Sequence, residues 1–317
     1  MNSQTQAESN SILIVGTGAL ATLFAARLGR AGHAITMLGT WPDGLRALRE
    51  NGARLIESDG REQRSPVIAT GDPRDCLGAR HALVLVKSWQ TQRAADQLAA
   101  CLAEDGLAVT LQNGLGNREI LAVKLGKSRA VLGSTTTGAT LLGPGLAKPG
   151  GEGTVSIESH PNITPLVAAL RSARFKVEAV KDARSLIWNK LVINSAINPL
   201  TALLRIPNGQ LLERPSARAL LRSLAEETAA VAVAEQARLA AEDPVRSVEA
   251  VALKTAANHS SMFQDIQRGA PTEIDAICGA VTRAGRRHNI PTPINQACWQ
   301  LVQALAQTPR AGAANSA

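Results

Sequence analysis

The chain changes its hydrophobic rhythm near the middle. In the first half, apolar residues come in short runs broken by glycine and polar turns. In the second half they recur at helical spacing. Residues 11–15 form an apolar run that stops at a glycine, as a buried parallel strand does. Residues 19–32 then carry helical character, and 33–38 read as a second strand. Short strands are expected at 54–57 and 66–70, around the Asp59-Gly60 turn. Two further buried strands are expected at 81–87 and 107–111, with helical sequence between them, and another at 130–133. Residues 135–159 are rich in Gly, Thr and Pro and read as antiparallel hairpin material, and 175–180 read as a last strand. Alternation of strand and helix points to a parallel sheet covered on both faces.

After Asp182 the texture becomes Ala-, Leu-, Glu- and Arg-rich. Helices are expected at 186–202, 216–241, 245–257, 272–289 and 293–307. The predicted fold class is therefore α/β: a Rossmann-type dinucleotide-binding domain over residues 11–181, followed by an all-α substrate and catalytic domain over 182–307. The polar stretches 1–10 and 308–317 read as disordered tails.

Composition narrows this picture. The 317 residues are 45% hydrophobic and 19% charged, enough to build real cores. With four Trp, three Phe and no Tyr, those cores must be aliphatic. The formal charge of +8 raises nucleic acid as a partner. However, the basic residues are dispersed and the aromatics that would stack on bases are scarce, so no nucleic-acid partner is expected. Cys76, Cys101, Cys278 and Cys298 lack paired spacing, and the five histidines are scattered, so no metal site is expected. The start of the chain lacks a basic segment and an apolar core, and no run reaches the roughly 20 apolar residues of a membrane helix. A soluble, cytoplasmic protein is the expectation.

The first chemical signal is Gly16-Thr17-Gly18-Ala19-Leu20-Ala21, which directly follows a strand and opens a helix. In that context G-x-G-x-x-A binds a dinucleotide. Gly16 permits the tight turn, Gly18 lets the backbone approach a pyrophosphate, and Ala21 allows close helix–strand packing. The helix start offers free N–H groups to the phosphates. The second strand ends in Leu38-Gly39-Thr40-Trp41, with neither an acid for a ribose 2′-hydroxyl nor an arginine for a 2′-phosphate. Thr40, or Arg46 one turn into the next helix, could serve, which favours NADP modestly and leaves NAD open. Lys87-Ser88-Trp89-Gln90 and Asn113-Gly114-Leu115-Gly116 follow two other strands, where ligands of open α/β sheets bind. Lys87 could meet a phosphate or carboxylate, and Asn113 the nicotinamide or its ribose. The alternatives are a solvated lysine and a plain Asn-Gly turn.

The second signal is a polar stripe. Lys190, Asn194 and Asn198 lie four residues apart on an otherwise apolar segment. Each step of four on an α-helix departs by only about 40° from alignment, so an ammonium and two amides share one face. Such a stripe could bind an oxygen-rich anion and give it a proton. Ser261 and Glu273 could join it. Alternatively they are a helix cap and a solvated acid near a helix start.

Taken in order, these motifs resemble the ketopantoate reductase family. The resemblance spans residues 11–305. It includes the glycine loop, Lys87-Ser88-Trp89-Gln90, Asn113-Gly114-Leu115-Gly116, Trp188-Asn189-Lys190-Leu191, Asn198-Pro199-Leu200-Thr201-Ala202, Pro207-Asn208-Gly209, Ser260-Ser261-Met262-Phe263-Gln264-Asp265 and Thr272-Glu273-Ile274-Asp275. It implies NADPH-dependent reduction of 2-dehydropantoate to pantoate, on the route to pantothenate and coenzyme A. It implies Lys190 as the catalytic general acid, with Glu273 supporting catalysis from the cofactor side. It further implies that Asn113, Asn194, Asn198, Asn208 and Ser261 bind the small anionic 2-oxo acid together with Lys190. Lys87, Gln90, Asn113 and the Gly138-Ala139-Thr140 loop would meet the cofactor. Family members often carry arginine where this chain has Thr40, so the choice between NADPH and NADH stays open. So do a homodimer, another 2-oxo or 3-oxo acid as substrate, and a non-catalytic NADP-binding regulator.

Overall fold

A computed structural model describes residues 11–307; the tails expected at 1–10 and 308–317 lie outside the described residues. The chain divides into two compact units.

The first unit runs to Gln112 and resumes over Asn117–Ala183. Its main sheet uses strands β1 (Ser11–Val15), β2 (Ala34–Leu38), β5 (Ile68–Thr70), β6 (Ala79–Val84), β7 (Leu102–Thr110), β8 (Ala130–Thr135), β11 (Thr154–Glu158) and β12 (Lys176–Val180). Their order is β12-β11-β8-β7-β6-β1-β2-β5. Every pairing is parallel except β8 with β11. The chain leaves β1 toward β2 on one side and reaches β6 on the other, so β1 sits at the topological switch point where such sheets bind ligands. Helix α1 (Ala19–Arg30) buries Ala21, Leu23, Phe24, Ala25 and Leu28. Phe24 stacks on Phe175 at 4.2 Å between ring centroids.

A second, four-stranded sheet orders β4 (Glu62–Ser65), β3 (Ala53–Ile56), β10 (Leu146–Pro149) and β9 (Ala139–Gly143). The hairpin expected over 135–159 is present as β9–β10. However, β10 also pairs in parallel with the distant β3. The strand expected over 81–87 ends at Val84, and Lys87 instead starts a single 3₁₀ turn, Ser88–Gln90.

The second unit holds α6 (Ala183–Leu204), α7 (Gln210–Glu213), α8 (Pro215–Ala234), α9 (Pro244–Lys254), α10 (Ser261–Arg268), α11 (Ala280–Arg287) and α12 (Pro293–Gln307). It also includes Asn113–Gly116. The sequence reading leaves that loop in the α/β domain. The structure groups it with the helices because the Leu115 N–H donates to the Ala276 carbonyl (2.9 Å) and Leu115 packs on the helical core. The helix expected over 272–289 does not start at Thr272. A π-helical turn over Asp275–Gly279, closed by the Gly279 N–H to the Ile274 carbonyl (3.1 Å), precedes α11.

A carboxylate organises the far side of this unit. Glu227 on α8 accepts the Ile294 and Asn295 backbone N–H groups and the Asn295 side-chain amide, each at 2.9 Å. The N–H groups at the start of α12 thus gain a negatively charged acceptor where the helix dipole favours one. Asn295 has no exposed surface, so its amide depends on this acceptor. We expect Glu227→Ala to destabilise the protein by about 2–3 kcal/mol, as lost charge-assisted hydrogen bonds do. This should read as a lowered denaturation midpoint, with Glu227→Gln falling between the two.

Candidate active site

The dinucleotide loop is built by strand end and helix start together. Gly16 sits at φ +133°, and a Cβ there would come within 3.1 Å of the Leu85 backbone at the end of β6. Gly18 precedes α1 with no side-chain cap, and no acid occupies the first helical turn. A Cβ on Gly18 would meet nothing within 4 Å, so its backbone is open to a ligand. Thr17 is buried and packs against Gly39, where a Cβ would approach its methyl group to 2.6 Å. Gly39 is therefore needed to seat the loop beneath the β2 end. Ala21 is buried, while Ala19 and Leu20 are half-buried. Uncapped N–H groups beside an open glycine backbone fit a pyrophosphate.

Thr40 is exposed at the β2 end. Arg46 lies one turn into helix α2 (Pro42–Asn51) and pairs with Asp43 at 2.5 Å, both largely exposed. Lys87 and Gln90 are half-buried at the 3₁₀ turn, and Ala139 is half-buried on β9.

A buried polar network fixes these strand ends, and sequence reasoning missed it. The Gln112 amide donates to Thr91 Oγ1 (2.8 Å) and to the Val86 carbonyl (3.0 Å), and its carbonyl accepts from Thr110 (2.9 Å). Thr91 Oγ1 also lies 2.8 Å from Asn117 Oδ1. These four side chains tie the ends of β6 and β7 to the starts of α3 (Thr91–Cys101) and α4 (Asn117–Leu125). The one available signal was a glutamine directly after an apolar strand.

In the helical unit, α6 presents the predicted stripe. Ile187, Trp188, Leu191, Val192, Ala196 and Ile197 face the core. Lys190 and Asn194 are half-buried, and Asn198 is buried. Neighbouring Asn189 is a scaffold residue: its amide donates to the Ser185 and Arg238 carbonyls, and its carbonyl accepts from the Ala240 N–H. Glu273 is only 5% exposed, so it is not a solvated acid. The Asn113 amide donates to Glu273 Oε2 at 3.2 Å. Loss of hydration pushes the Lys190 ammonium down to a pKa of about 8, against the opposing pull of the Glu273 charge. The helical unit thus brings Lys190, Glu273 and Asn113 together, although Asn113 lies far from both in sequence. Gly114, at φ +82°, permits this because a Cβ there would sit 2.4 Å from the Ala276 carbonyl.

The remaining residues divide. Ser260, rather than Ser261, caps α10: its Oγ accepts the Phe263 N–H (3.1 Å) and bonds Thr201 on α6 (2.7 Å). Ser261 is exposed on the first turn. Asn208 is buried, with its amide donating to Thr255 at 2.9 Å and its carbonyl oxygen unmatched. Among the described residues no cluster of metal-ligating side chains occurs, and no helix is long and apolar enough to cross a membrane.

Two family profiles match the chain: "Ketopantoate reductase PanE/ApbA" over residues 12–162 and "Ketopantoate reductase PanE/ApbA C terminal" over 182–306. The 2-dehydropantoate 2-reductase of Archaeoglobus fulgidus is 36% identical across 93% of this chain and 97% of its own length. That of Halobacterium salinarum is 33% identical across 93% and 98%. A PanE/ApbA family ketopantoate reductase from Ralstonia eutropha matches in structure with a TM-score of 0.87 at 31% identity, covering 93% of this chain and 98% of its own. D-mandelate dehydrogenase, solved with NADH and anilino(oxo)acetate, matches at a TM-score of 0.86 but 23% identity, a likeness of fold. With both units matched in order, the chain belongs to the ketopantoate reductase family.

Proposed function

We propose that this protein reduces 2-dehydropantoate to pantoate with NADPH. One observation carries the reading: a desolvated lysine on an apolar helix, beside a buried carboxylate and in line with two amides, in a chain whose other unit carries a dinucleotide loop. The family's relatives named 2-dehydropantoate 2-reductase support the substrate.

The cofactor's diphosphate fits the uncapped start of α1, with Gly16, Thr17, Gly18, Ala19, Leu20 and Ala21 forming its cradle. Lys87, Gln90, Asn113 and Ala139 would supply further contacts, and Thr40, exposed at the β2 end, would meet the ribose. The β2 end lacks an acid for a 2′-hydroxyl, which supports NADPH over NADH. When bound, the reduced nicotinamide supplies the hydride.

The chain's own residues do the rest. Lys190 hydrogen-bonds the C2 carbonyl oxygen and gives it a proton as negative charge develops there. Its lowered pKa makes it a better acid than an ordinary lysine while leaving it largely protonated at neutral pH. Glu273 keeps the ammonium charged and in place, and Asn113 holds Glu273. Asn194, Asn198, Asn208 and Ser261 bind the carboxylate and hydroxyl oxygens. Neutral donors suit that task because they bind an anion without competing for the proton.

The decisive assay is loss of reduced-nicotinamide absorbance with 2-dehydropantoate, run with each cofactor; no loss with either overturns the reading. Lys190→Ala should lower kcat by about 10²–10⁴-fold while the NADPH dissociation constant stays nearly constant. A kcat within a few-fold of wild type would remove Lys190 from the general-acid role. The reduction needs the protonated lysine, so kcat/KM should be level below a pH of about 8 and fall above it. Glu273→Gln removes the charge that supports the ammonium, so the falling limb should move to lower pH. Installing a cation with Thr40→Arg should raise the kcat/KM ratio of NADPH to NADH by roughly tenfold or more, as a charge-assisted hydrogen bond would.

A further inference from the structure

Pro199 interrupts α6 one residue after Asn198. Proline has no N–H, so the carbonyl four residues earlier, Ser195, loses its helical donor. Ser195 lies between Asn194 and Asn198, and its side chain is committed elsewhere, bonding Thr228 at 2.8 Å. Its backbone carbonyl is met instead by Cys278, whose thiol donates across 3.8 Å. Cys278 is fully buried, and burial holds the thiol far from ionisation, so it keeps the proton it donates.

Cys278 belongs to the same π-helical turn that follows Glu273. This segment touches the site at three places. Glu273, at its start, holds Asn113. The Ala276 carbonyl accepts the Leu115 N–H and so fixes the Asn113 loop. Cys278, near its end, grips α6 at the gap that Pro199 opens. The widened i→i+5 bond of the π turn is part of what sets Cys278's position between Glu273 and α11.

We propose that Cys278 is a positioning residue for 2-oxo acid binding: its thiol holds the Ser195 carbonyl and so fixes the spacing of Asn194 and Asn198 along α6. It touches neither substrate nor cofactor. The proposal rests on the oxo-acid reductase reading given above.

The test compares Cys278→Val, which fills similar space without a donor, with Cys278→Ser, which keeps a donor on a shorter bond. Amide hydrogen exchange over residues 194–202 reads the contact whatever the substrate, and steady-state kinetics with 2-dehydropantoate and NADPH reads its consequence. In Cys278→Val, exchange should speed up, and KM for the oxo acid should rise roughly fivefold, as loss of one hydrogen bond would give. In the same variant kcat should stay within about twofold, and the NADPH dissociation constant should not move. Cys278→Ser should recover most of both changes. Unchanged exchange in Cys278→Val overturns the proposal, and so does faster exchange with an unchanged KM. Equal behaviour of the Ser and Val variants overturns it as well. Wild-type protein that does not turn over 2-dehydropantoate defeats the functional reading instead. In that event exchange alone decides whether Cys278 holds Ser195.

Discussion

A half-buried ammonium beside a buried carboxylate is the interaction on which the rest of this site depends. Lys190 sits on a helix beside the buried apolar residues Ile187, Trp188, Leu191 and Val192, and burial weakens the hydration of its charge. Leaving such a charge without an opposite one would be strongly unfavourable. Glu273 answers that need, and its own burial creates a second need. A carboxylate that is 5% exposed requires donors, and Asn113 provides one at 3.2 Å. Each buried polar group thus calls for the next, and the chain is routed accordingly. The loop after β7 is given over to the helical unit, with glycine at position 114 to permit the close backbone approach.

Much of the first unit could be read from sequence because its signals are local. β1 is an apolar run with glycines behind it, and the glycine loop announces the turn, the helix and the phosphate cradle together. The second sheet could be read only in part: β3 and the β9–β10 hairpin match expected segments, but β4 and the pairing of β3 with β10 do not follow from local pattern. β4 is Glu-Gln-Arg-Ser, which shows no apolar alternation, and it forms because β3 lies antiparallel to it. The partnership of β3 with β10 joins segments about ninety residues apart, which no local pattern records. The same limit applies to Leu115: the sequence shows an apolar residue after a turn, but not which core it will enter.

The candidate site divides along the same line. The Lys190, Asn194 and Asn198 stripe was legible because helical spacing alone places the three residues on one face. Spacing alone left Glu273 open between a partner of the stripe and a solvated acid, and only the family resemblance favoured the first; its burial in the structure rules out the second. Ser260 and Ser261 show how close such a distinction can be. The residue that caps α10 and bonds Thr201 is the first serine, whereas the family resemblance points to the second for substrate. Gln112 and Thr91 were invisible because their role is to satisfy each other inside the protein, where identity matters only through geometry.

The number of basic residues does not locate the chemistry. Several arginines on both units are spent on local acids: Arg27 with Glu152, Arg218 with Glu249, and Arg184 and Arg287 with Glu235. Such pairs contribute little individually and are screened by salt. The chemistry rests instead on one cation already balanced by one buried anion. An incoming 2-oxo acid adds a negative charge to that neutral pair. In the proposed reaction the lysine hydrogen-bonds the carbonyl oxygen while the carboxylate of the substrate goes to amides. Had the stripe been Lys-Lys-Lys, it would attract the anion more strongly, but it would also hold several protons at different affinities and leave the proton donor undefined. On the proposed reading, two asparagines at positions 194 and 198 separate binding from proton transfer, so that a single titratable nitrogen sets the pH dependence of the reaction.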